Sequence, residues 1–353
     1  MKNFYIITIL LAITLSSCAA PTAATEAKIE ATAAISPTQE APAEMVYEPA
    51  IVKLNLTKGV QSLGPIYVAE QKGYFKQFGI TLETITMAKP TDALPLLIAG
   101  DLDVLAGTVD PGALNSMAAD PNIRFVADRG FVPMGNECTY YGLLVRKDLI
   151  ESGAVSKPED LKGKNIVVGK TSPSGFLLSK YMESAGLTLN DINVIQIPPA
   201  QQLEAFKDKS LDATFTTETY LSRIMDAGVA QILVGSETIS DIQISGIIFG
   251  KNLMVDNPEV GERFLAAYIL GVRAYNEGKT EENLKIIAET TGEDTAILQK
   301  ACWMKFNENA EMTFSGFEDY QKYMLDNGLL DQATSVEKIW EPKFIQAALK
   351  LVP

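Results

Sequence analysis

Residues 51–86 read IVKLNLTKGVQSLGPIYVAEQKGYFKQFGITLETIT, and the order of elements in this segment indicates the fold class. Apolar and polar residues alternate over residues 51–56, which predicts a strand. Residues 65–78 have the length and the apolar spacing of a helix, and Gly79 follows where a glycine commonly ends one. Residues 80–86 alternate again. A strand, a helix and a second strand in this order predict an α/β fold with parallel strands.

The same alternation of strands and helices continues toward the C-terminus. It runs through a strand over residues 123–127 and restarts with a strand at residue 142, ending near residue 234. From residue 259 onward the apolar spacing is mostly helical. The sequence therefore predicts an α/β class with two lobes of similar size, and C-terminal helices that cover the sheet of the first lobe.

The N-terminus is predicted to be a targeting segment. Residues 4–15 are an apolar stretch of signal-peptide length, shorter than a membrane span. They run into Leu-Ser-Ser-Cys, ending at Cys18, which resembles the lipobox of bacterial lipoproteins and implies cleavage before that cysteine and a lipid on its sulfur. Residues 1–17 are thus predicted as a signal peptide and 18–49 as a lipid-anchored flexible tether rich in Ala, Pro, Thr and Glu. The alternative is an ordinary secretory signal that contains a cysteine.

The composition excludes several kinds of function. The chain has 353 residues, with 30 Lys and Arg against 44 Asp and Glu, so its formal net charge is -14. No basic stripe is present, and we predict no nucleic-acid partner. There are no histidines, which removes the commonest general base and the usual zinc ligand. We therefore predict a protein that is not an enzyme and that binds no cofactor and no metal.

The cysteine pattern indicates neither a metal site nor a redox pair. Besides Cys18 there are two cysteines, Cys138 and Cys302, and no CxxC spacing occurs. The two distant cysteines could form a disulfide in an oxidising compartment. Two free, buried thiols are the interpretation that the sequence favours.

Three stretches together resemble one protein family. Residues 64–75 read GPIYVAEQKGYF, residues 97–104 read LIAGDLDV and residues 158–169 read PEDLKGKNIVVG. They are similar to the solute-binding proteins of ABC importers for nitrate, taurine and other sulfonates, and pyrimidine precursors of thiamine. The resemblance covers about residues 51–250. In the first stretch, Gly73 is predicted to let its helix pack closely.

The resemblance implies a two-lobed type II periplasmic-binding-protein fold with a ligand cleft between the lobes. Lobe 1 would hold residues 50–140 and 249–353, and lobe 2 residues 141–248. The chain would return to lobe 1 near residues 245–250. Such a protein closes on a small solute by hinge motion and delivers it to an ABC permease and its ATPase. The implied protein is a monomer that lies outside the cytoplasm and is attached to the membrane by its lipid.

Candidate ligand contacts lie after the predicted strands, because ligands of open α/β sheets bind beyond the carboxyl ends of the strands. The crossing between the lobes adds two tyrosines. The candidates are Ser62, Leu63, Thr108, Asp110, Tyr140, Tyr141, Thr171, Ser172, Ser174, Gly175, Thr217 and Glu218.

Two interpretations of these candidates stay open. The Thr171–Gly175 turn opens a helix and is either an anion site or a plain N-cap. Asp110 precedes a proline as an N-cap does, and Glu218 matches a glutamate near the cleft in the family. A sulfonate fits the turn, whereas a taurine-like zwitterion or an aminopyrimidine would also satisfy the two acids.

Two other functions remain as alternatives. One is a surface sensor lipoprotein that uses the same fold without an importer. The other is an enzyme of pyrimidine synthesis on this fold, which needs a histidine and a cysteine cluster that the sequence lacks.

Overall fold

A computed structural model of the chain describes residues 47–56, 61–86, 92–132, 138–235 and 242–353. The predicted signal peptide, Cys18 and most of the predicted tether lie outside the described residues. Across the described parts of the chain, none of the helices combines the length and the apolar character that a membrane span requires.

The first sheet has five strands in the order β2-β1-β3-β10-β4. Strand β10 runs antiparallel to both of its neighbours, and β1 is parallel to β2 and β3. The strands are β1 (Ala50–Asn55), β2 (Ile80–Ile85), β3 (Val104–Thr108), β4 (Arg124–Val132) and β10 (Ile242–Phe249).

The second sheet also has five strands, in the order β7-β6-β8-β5-β9. Its antiparallel strand, β5, lies between β8 and β9. The strands are β5 (Tyr141–Arg146), β6 (Asn165–Val167), β7 (Asn193–Ile195), β8 (Ala213–Thr217) and β9 (Ala230–Val234). The predicted fold class is confirmed: two mixed sheets, each covered by helices, form the two lobes.

Helices flank both sheets, and the C-terminal third is mainly helical. They are α1 (Gly64–Gln71), α2 (Tyr74–Gln77), α3 (Ala93–Ala99), α4 (Pro111–Ala119), α5 (Lys147–Glu151), α6 (Pro173–Glu183), α7 (Pro199–Lys207), α8 (Tyr220–Asp226), α9 (Pro258–Asn276), α10 (Glu281–Thr291), α11 (Thr295–Lys300), α12 (Phe317–Asp326) and α13 (Lys343–Ala348).

The helix predicted over residues 65–78 is two helices, α1 and α2. Gly73 separates them with a φ of 74°, a left-handed conformation that ends a helix and that glycine adopts at little cost. No atom lies within 4 Å of where a Cβ on Gly73 would be. The prediction that Gly73 serves close packing is therefore wrong, and its role is to turn the chain.

Close helix packing occurs instead between α1 and α9. A Cβ on Gly271 of α9 would collide with the carbonyl oxygen of Pro65 in α1. Helix α9 is the central buried helix of lobe 1, and Phe264, Tyr268 and Val272 have no exposed surface. Because α9 packs against α1, it holds α1 and the preceding residues 61–63 in place against the first sheet.

The chain returns to lobe 1 earlier than the sequence predicts. All of β10 pairs with β3 and β4 of the first sheet, so residues 242–248 belong to lobe 1 and not to lobe 2. The return lies between Val234, the end of β9, and Ile242. The predicted boundary at residue 248 is displaced because β10 is a fully buried strand, and such a strand shows no alternation that would reveal its start.

Candidate ligand-binding site

A cavity of about 750 Å³ lies between the two lobes. Lobe 1 supplies most of its wall, lobe 2 supplies one turn, and the C-terminal segment closes one side. The lining residues are Asn55, Ser62, Leu63, Leu94, Leu105, Ala106, Gly107, Thr108, Asp110, Pro111, Gly112, Ala113, Arg129, Thr171, Ser172, Ile248, Gly328 and Leu329. This volume is that of a small-molecule site.

Half of the twelve sequence candidates line this cavity. They are Ser62, Leu63, Thr108, Asp110, Thr171 and Ser172. The carboxyl ends of β1, β3 and β6 meet here, as the rule for open α/β sheets requires. The other six candidates, Tyr140, Tyr141, Ser174, Gly175, Thr217 and Glu218, lie outside the lining.

Among the described residues of the lining, Arg129 is the cationic side chain, and the sequence candidates do not include it. It projects from β4 and is 8% exposed. Its Nε and Nη2 donate to the carbonyl oxygen of Gly107 at 3.2 and 3.0 Å, and its Nη1 donates to Ser62 Oγ at 3.1 Å. A guanidinium has five N–H donors, so two have no acceptor among the described residues and can serve a ligand.

The charge of Arg129 is not neutralised by an ion pair with any of the described residues. Burial lowers the pKa of its guanidinium, and nearby tyrosines and Asp128 partly oppose this effect. Arginine still keeps its proton in proteins. A buried cation without a carboxylate partner costs free energy, and an anionic ligand in the cavity would remove that cost.

Three buried tyrosines, Tyr268, Tyr140 and Tyr141, lie close enough to Arg129 to interact with its charge. Burial raises the pKa of Tyr140, and the side chain of Ser62, which also contacts Arg129, partly opposes the rise. Burial raises the pKa of Tyr141 to about 12, and the charge of Arg129 lowers it in part. The rings of Tyr140 and Tyr141 lie 6.0 Å apart. These two candidates therefore lie near Arg129 but are not among the residues that line the cavity.

Asp110 is the acidic group among the described residues that line the cavity. Its Oδ1 accepts a hydrogen bond from the backbone N–H of Ala113 at 2.9 Å, which makes it the N-cap of α4. Burial raises the pKa of this carboxyl, and hydrogen bonds from the α4 backbone partly oppose the rise. Asp110 is thus both a cap and a cavity group that could face an amine or a ring N–H.

Replacing Asp110 with asparagine is expected to stabilise the folded chain increasingly as the pH rises. Asparagine is also a good N-cap, so the change removes the partly buried charge and keeps the cap. Because the folded-state pKa is raised, the wild type loses stability as pH rises from the unfolded value of about 3.9 through the folded value, and the loss is then constant. Urea unfolding of both proteins between pH 4 and pH 8 measures the difference.

The matched control is Asp294→Asn at the N-cap of α11. That carboxylate accepts from Ala296 N in the same way, but Asp294 is exposed. This variant measures what an Asp-to-Asn change at an N-cap does where the side chain is open to solvent. An Asp110→Asn curve that runs parallel to that of the wild type would show that burial of Asp110 carries no cost.

The Thr171–Gly175 turn contributes only its first two residues to the lining. Ser172 Oγ donates to Gly169 O at 2.9 Å and lies 2.7 Å from Ser174 Oγ. A Cβ on Gly175 would come within 2.6 Å of Gly169 O, so this position requires glycine. The turn therefore presents Thr171 and Ser172 to the cavity, while Ser174 and Gly175 shape it.

Glu218 does not line the cavity, and its carboxylate is hydrogen-bonded to other parts of the protein. Its carboxylate accepts from Ser222 N at 3.0 Å, from Ser222 Oγ at 2.8 Å and from Cys302 N at 3.0 Å. Burial raises the pKa of Glu218, and these bonds partly oppose the rise. Thr217, just before it, pairs with Tyr141 in the ladder of β5 and β8. Both candidates hold structure together at the side of the cleft.

Cys138 and Cys302 form a disulfide, with their Cα atoms 5.5 Å apart. The expectation of two free thiols is therefore wrong. The fold brings together a residue at the crossing between the lobes and a residue that follows α11, a proximity that a sequence separation of 164 residues does not reveal.

Comparison with known proteins assigns the family. The family model described as "NMT1/THI5 like" matches residues 61–277, more than half of the chain. The chain belongs to the NMT1/THI5-like family. It is 25% identical over 235 residues to a Brucella abortus protein that is named as a binding protein. This alignment covers 66% of the chain and 69% of that relative. It is 28% identical over 213 residues to a Bacillus subtilis protein named as an aliphatic sulfonates-binding protein, covering 59% of the chain and 61% of the relative.

Solved structures show the same fold as this NMT1/THI5-like chain. The nitrate-binding protein NrtA of Synechocystis gives a TM-score of 0.69 at 13% identity, covering 86% of this chain and 89% of that one. The alkanesulfonate-binding protein SsuA of Xanthomonas axonopodis, bound to MOPS, gives 0.64 at 18% identity, covering 84% and 100%. The desulfurization enzyme DSZB gives 0.60 at 15% identity, covering 85% and 99%.

The NMT1/THI5-like chain also lines its cavity with residues that the sequence candidates leave out. Arg129 lies two residues beyond the predicted end of its strand at residue 127, and β4 continues to Val132. The sequence does contain a signal for Arg129, because Asp128 and Arg129 are a charged pair within an otherwise apolar stretch of this strand. Asn55, which accepts from Ala106 N at 2.8 Å, is the last residue of β1. Leu329 comes from the C-terminal segment, and no local pattern points to it.

Proposed function

We propose that this chain is the extracytoplasmic solute-binding component of an ABC importer. It would capture a small organic anion or zwitterion in the cavity between the lobes and deliver it to a permease and its ATPase after hinge closure. The observation that carries the proposal is Arg129, a buried cation in the cavity that has no ion pair among the described residues.

The character of the cavity wall favours an organic anion over nitrate. Apolar side chains make up much of the lining and face the space beside Arg129; they are Leu63, Leu94, Leu105, Pro111, Ile248 and Leu329. Burial of an apolar group against them contributes roughly 25 cal/mol per Å². A sulfonate with an alkyl or aryl group would place its charge at Arg129 and its apolar part on this wall. The Bacillus subtilis relative named for aliphatic sulfonates is consistent with this class.

Asp110 supports the second ligand class. A taurine-like zwitterion would place its amine near Asp110 and its sulfonate near Arg129. An aminopyrimidine would use Asp110 and leave Arg129 without a counter-charge, and for this reason we rank it second.

The location is also a proposal. The lipobox-like segment ending at Cys18 supports lipid attachment to the membrane. The disulfide between Cys138 and Cys302 supports an oxidising compartment. A monomer is the form that we propose. A surface sensor would share the site, and only a transport assay separates the two functions. An enzyme is disfavoured because the chain has no histidine, although the fold also occurs in DSZB.

A thermal-shift screen of the full chain tests the ligand class. The panel contains nitrate, bicarbonate, alkyl- and arylsulfonates, taurine, aminopyrimidines and polyamines. A ligand at about 100 times its dissociation constant stabilises the folded state by about 2.7 kcal/mol, or roughly 4 to 8 °C in melting temperature. We expect alkyl- or arylsulfonates to give the largest shift and polyamines to give none. A rise in melting temperature with aminopyrimidines alone would indicate that the ligand binds at Asp110. No rise with any compound would contradict the proposed ligand class.

A further inference from the structure

The segments that precede and follow helix α12 are both attached to lobe 1. Before the helix, Thr313 N donates to Gln243 Oε1 of β10 at 3.1 Å. After it, Phe125 N of β4 donates to Ile339 O at 2.8 Å, and Phe125 forms a parallel β-bridge with Trp340. The helix therefore moves with lobe 1.

Two tyrosines of α12 contact the two lobes separately. The Tyr320 hydroxyl donates to the carbonyl oxygen of Val109 in lobe 1 at 3.0 Å. The Tyr323 hydroxyl donates to the carbonyl oxygen of Lys170 in lobe 2 at 2.7 Å. Residues three apart share a face of a helix, so one face of α12 binds a cavity loop of each lobe.

An aromatic contact accompanies the Tyr323 bond. Phe176, in the first turn of α6 in lobe 2, lies 5.1 Å from the Tyr320 ring and 5.7 Å from the Tyr323 ring. Phe176 is 1% exposed and Tyr320 is fully buried. Opening the cleft on this side would expose these rings to water and break the bond to Lys170.

The contact between Tyr323 and Lys170 lies next to the cavity. Lys170 directly precedes Thr171 and Ser172, the lobe 2 residues of the lining, and Leu329 of the lining follows α12. On the opposite side, Lys170 and Tyr323 line a separate depression of about 330 Å³. The Tyr323 bond thus lies between the cavity and this second depression.

We infer that Tyr323 is a positioning residue that holds the Lys170–Ser172 turn against the cavity and keeps the cleft closed. Its hydroxyl belongs to lobe 1, and the carbonyl oxygen that it binds belongs to lobe 2. The bond therefore forms only when the lobes are together and Thr171 and Ser172 reach the cavity. An effect of Tyr323 on ligand release rests on the proposed function. Its role in holding the two lobes together does not.

The test compares Tyr323→Phe with Tyr320→Phe in the full chain, because each change removes one hydroxyl and keeps the ring. Hydrogen exchange is measured without ligand on peptides that cover residues 169–175. A hydrogen bond contributes about 0.5–1.5 kcal/mol net, so Tyr323→Phe should accelerate exchange at this turn about 2- to 10-fold. Tyr320→Phe should leave the turn unchanged and accelerate exchange near Val109.

The second readout is the dissociation rate of 1-butanesulfonate by stopped flow. Tyr323→Phe should raise this rate about 2- to 10-fold, and the melting temperature of the free protein should fall by no more than about 3 °C. Wild-type exchange at the turn in Tyr323→Phe, or equal acceleration there in Tyr320→Phe, would overturn the inference. If 1-butanesulfonate binds none of the proteins, the sulfonate class fails, and the exchange data still decide the role of Tyr323.

Discussion

Replacing Arg129 with methionine is expected to lower the affinity for an organic sulfonate by about 30-fold or more and to leave the fold intact. Removing one partner of a buried, hydrogen-bonded charge pair costs about 2–5 kcal/mol, and each 1.4 kcal/mol is tenfold in affinity. Calorimetric titration with the sulfonate that gives the largest thermal shift measures the loss.

The stability of the Arg129→Met protein separates a binding role from a structural one. Arg129 has no ion pair among the described residues, so the change leaves no described carboxylate without its partner. It loses the bonds to Gly107 O and Ser62 Oγ, but it also removes the cost of burying a charge. We expect the unfolding free energy of the ligand-free protein to stay within about 1 kcal/mol of the wild-type value or to rise.

Arg124→Met in the same strand is the control. Arg124 donates from Nη1 to the carbonyl oxygens of Met117, Asp120 and Ile123 and does not line the cavity. Its replacement should lower stability and leave sulfonate affinity unchanged. If Arg129→Met instead binds the sulfonate as tightly as the wild type, Arg129 is not the anion site.

The local sequence pattern is sufficient to predict many of the residues that line the cavity. Ser62, Thr108, Asp110 and Thr171 follow strands whose alternation or apolar character is plain in the sequence. The rule that ligands bind beyond the carboxyl ends of strands needs only the strand positions and their parallel direction. The order of residues along the chain is therefore enough to predict that these four side chains meet.

The parts that local pattern misses depend on contacts between distant segments. Strand β4 extends past Ala127 because β10, more than 100 residues later, pairs with it up to Val132. That extension is what carries Arg129 into the cavity wall. The position of Glu218 likewise depends on Cys302, whose N–H its carboxylate accepts. Pairings of this range leave no periodic signal in either segment.

Removing the disulfide with Cys138→Ala and Cys302→Ala together is expected to lower the unfolding free energy by roughly 3–5 kcal/mol. The bond joins residues 164 positions apart, and a cross-link over so long a loop removes much of the entropy of the unfolded chain. The expected fall in melting temperature is roughly 5 to 10 °C. Urea unfolding of the full chain, in the absence of reductant, measures the free-energy change.

The single variants distinguish the cross-link from the packing of its sulfurs. Cys138 is exposed, whereas Cys302 is 4% exposed, so loss of packing would affect Cys302→Ala far more than Cys138→Ala. Loss of the cross-link affects both equally, and we expect the two single variants and the double variant to agree within about 0.5 kcal/mol. The hydrogen bond from Cys302 N to Glu218 survives in all three because the donor is backbone. A double variant as stable as the wild type would mean that the bond constrains nothing in the unfolded chain, and that Glu218 and the packing around α11 alone hold the C-terminal segment beside the interlobe crossing.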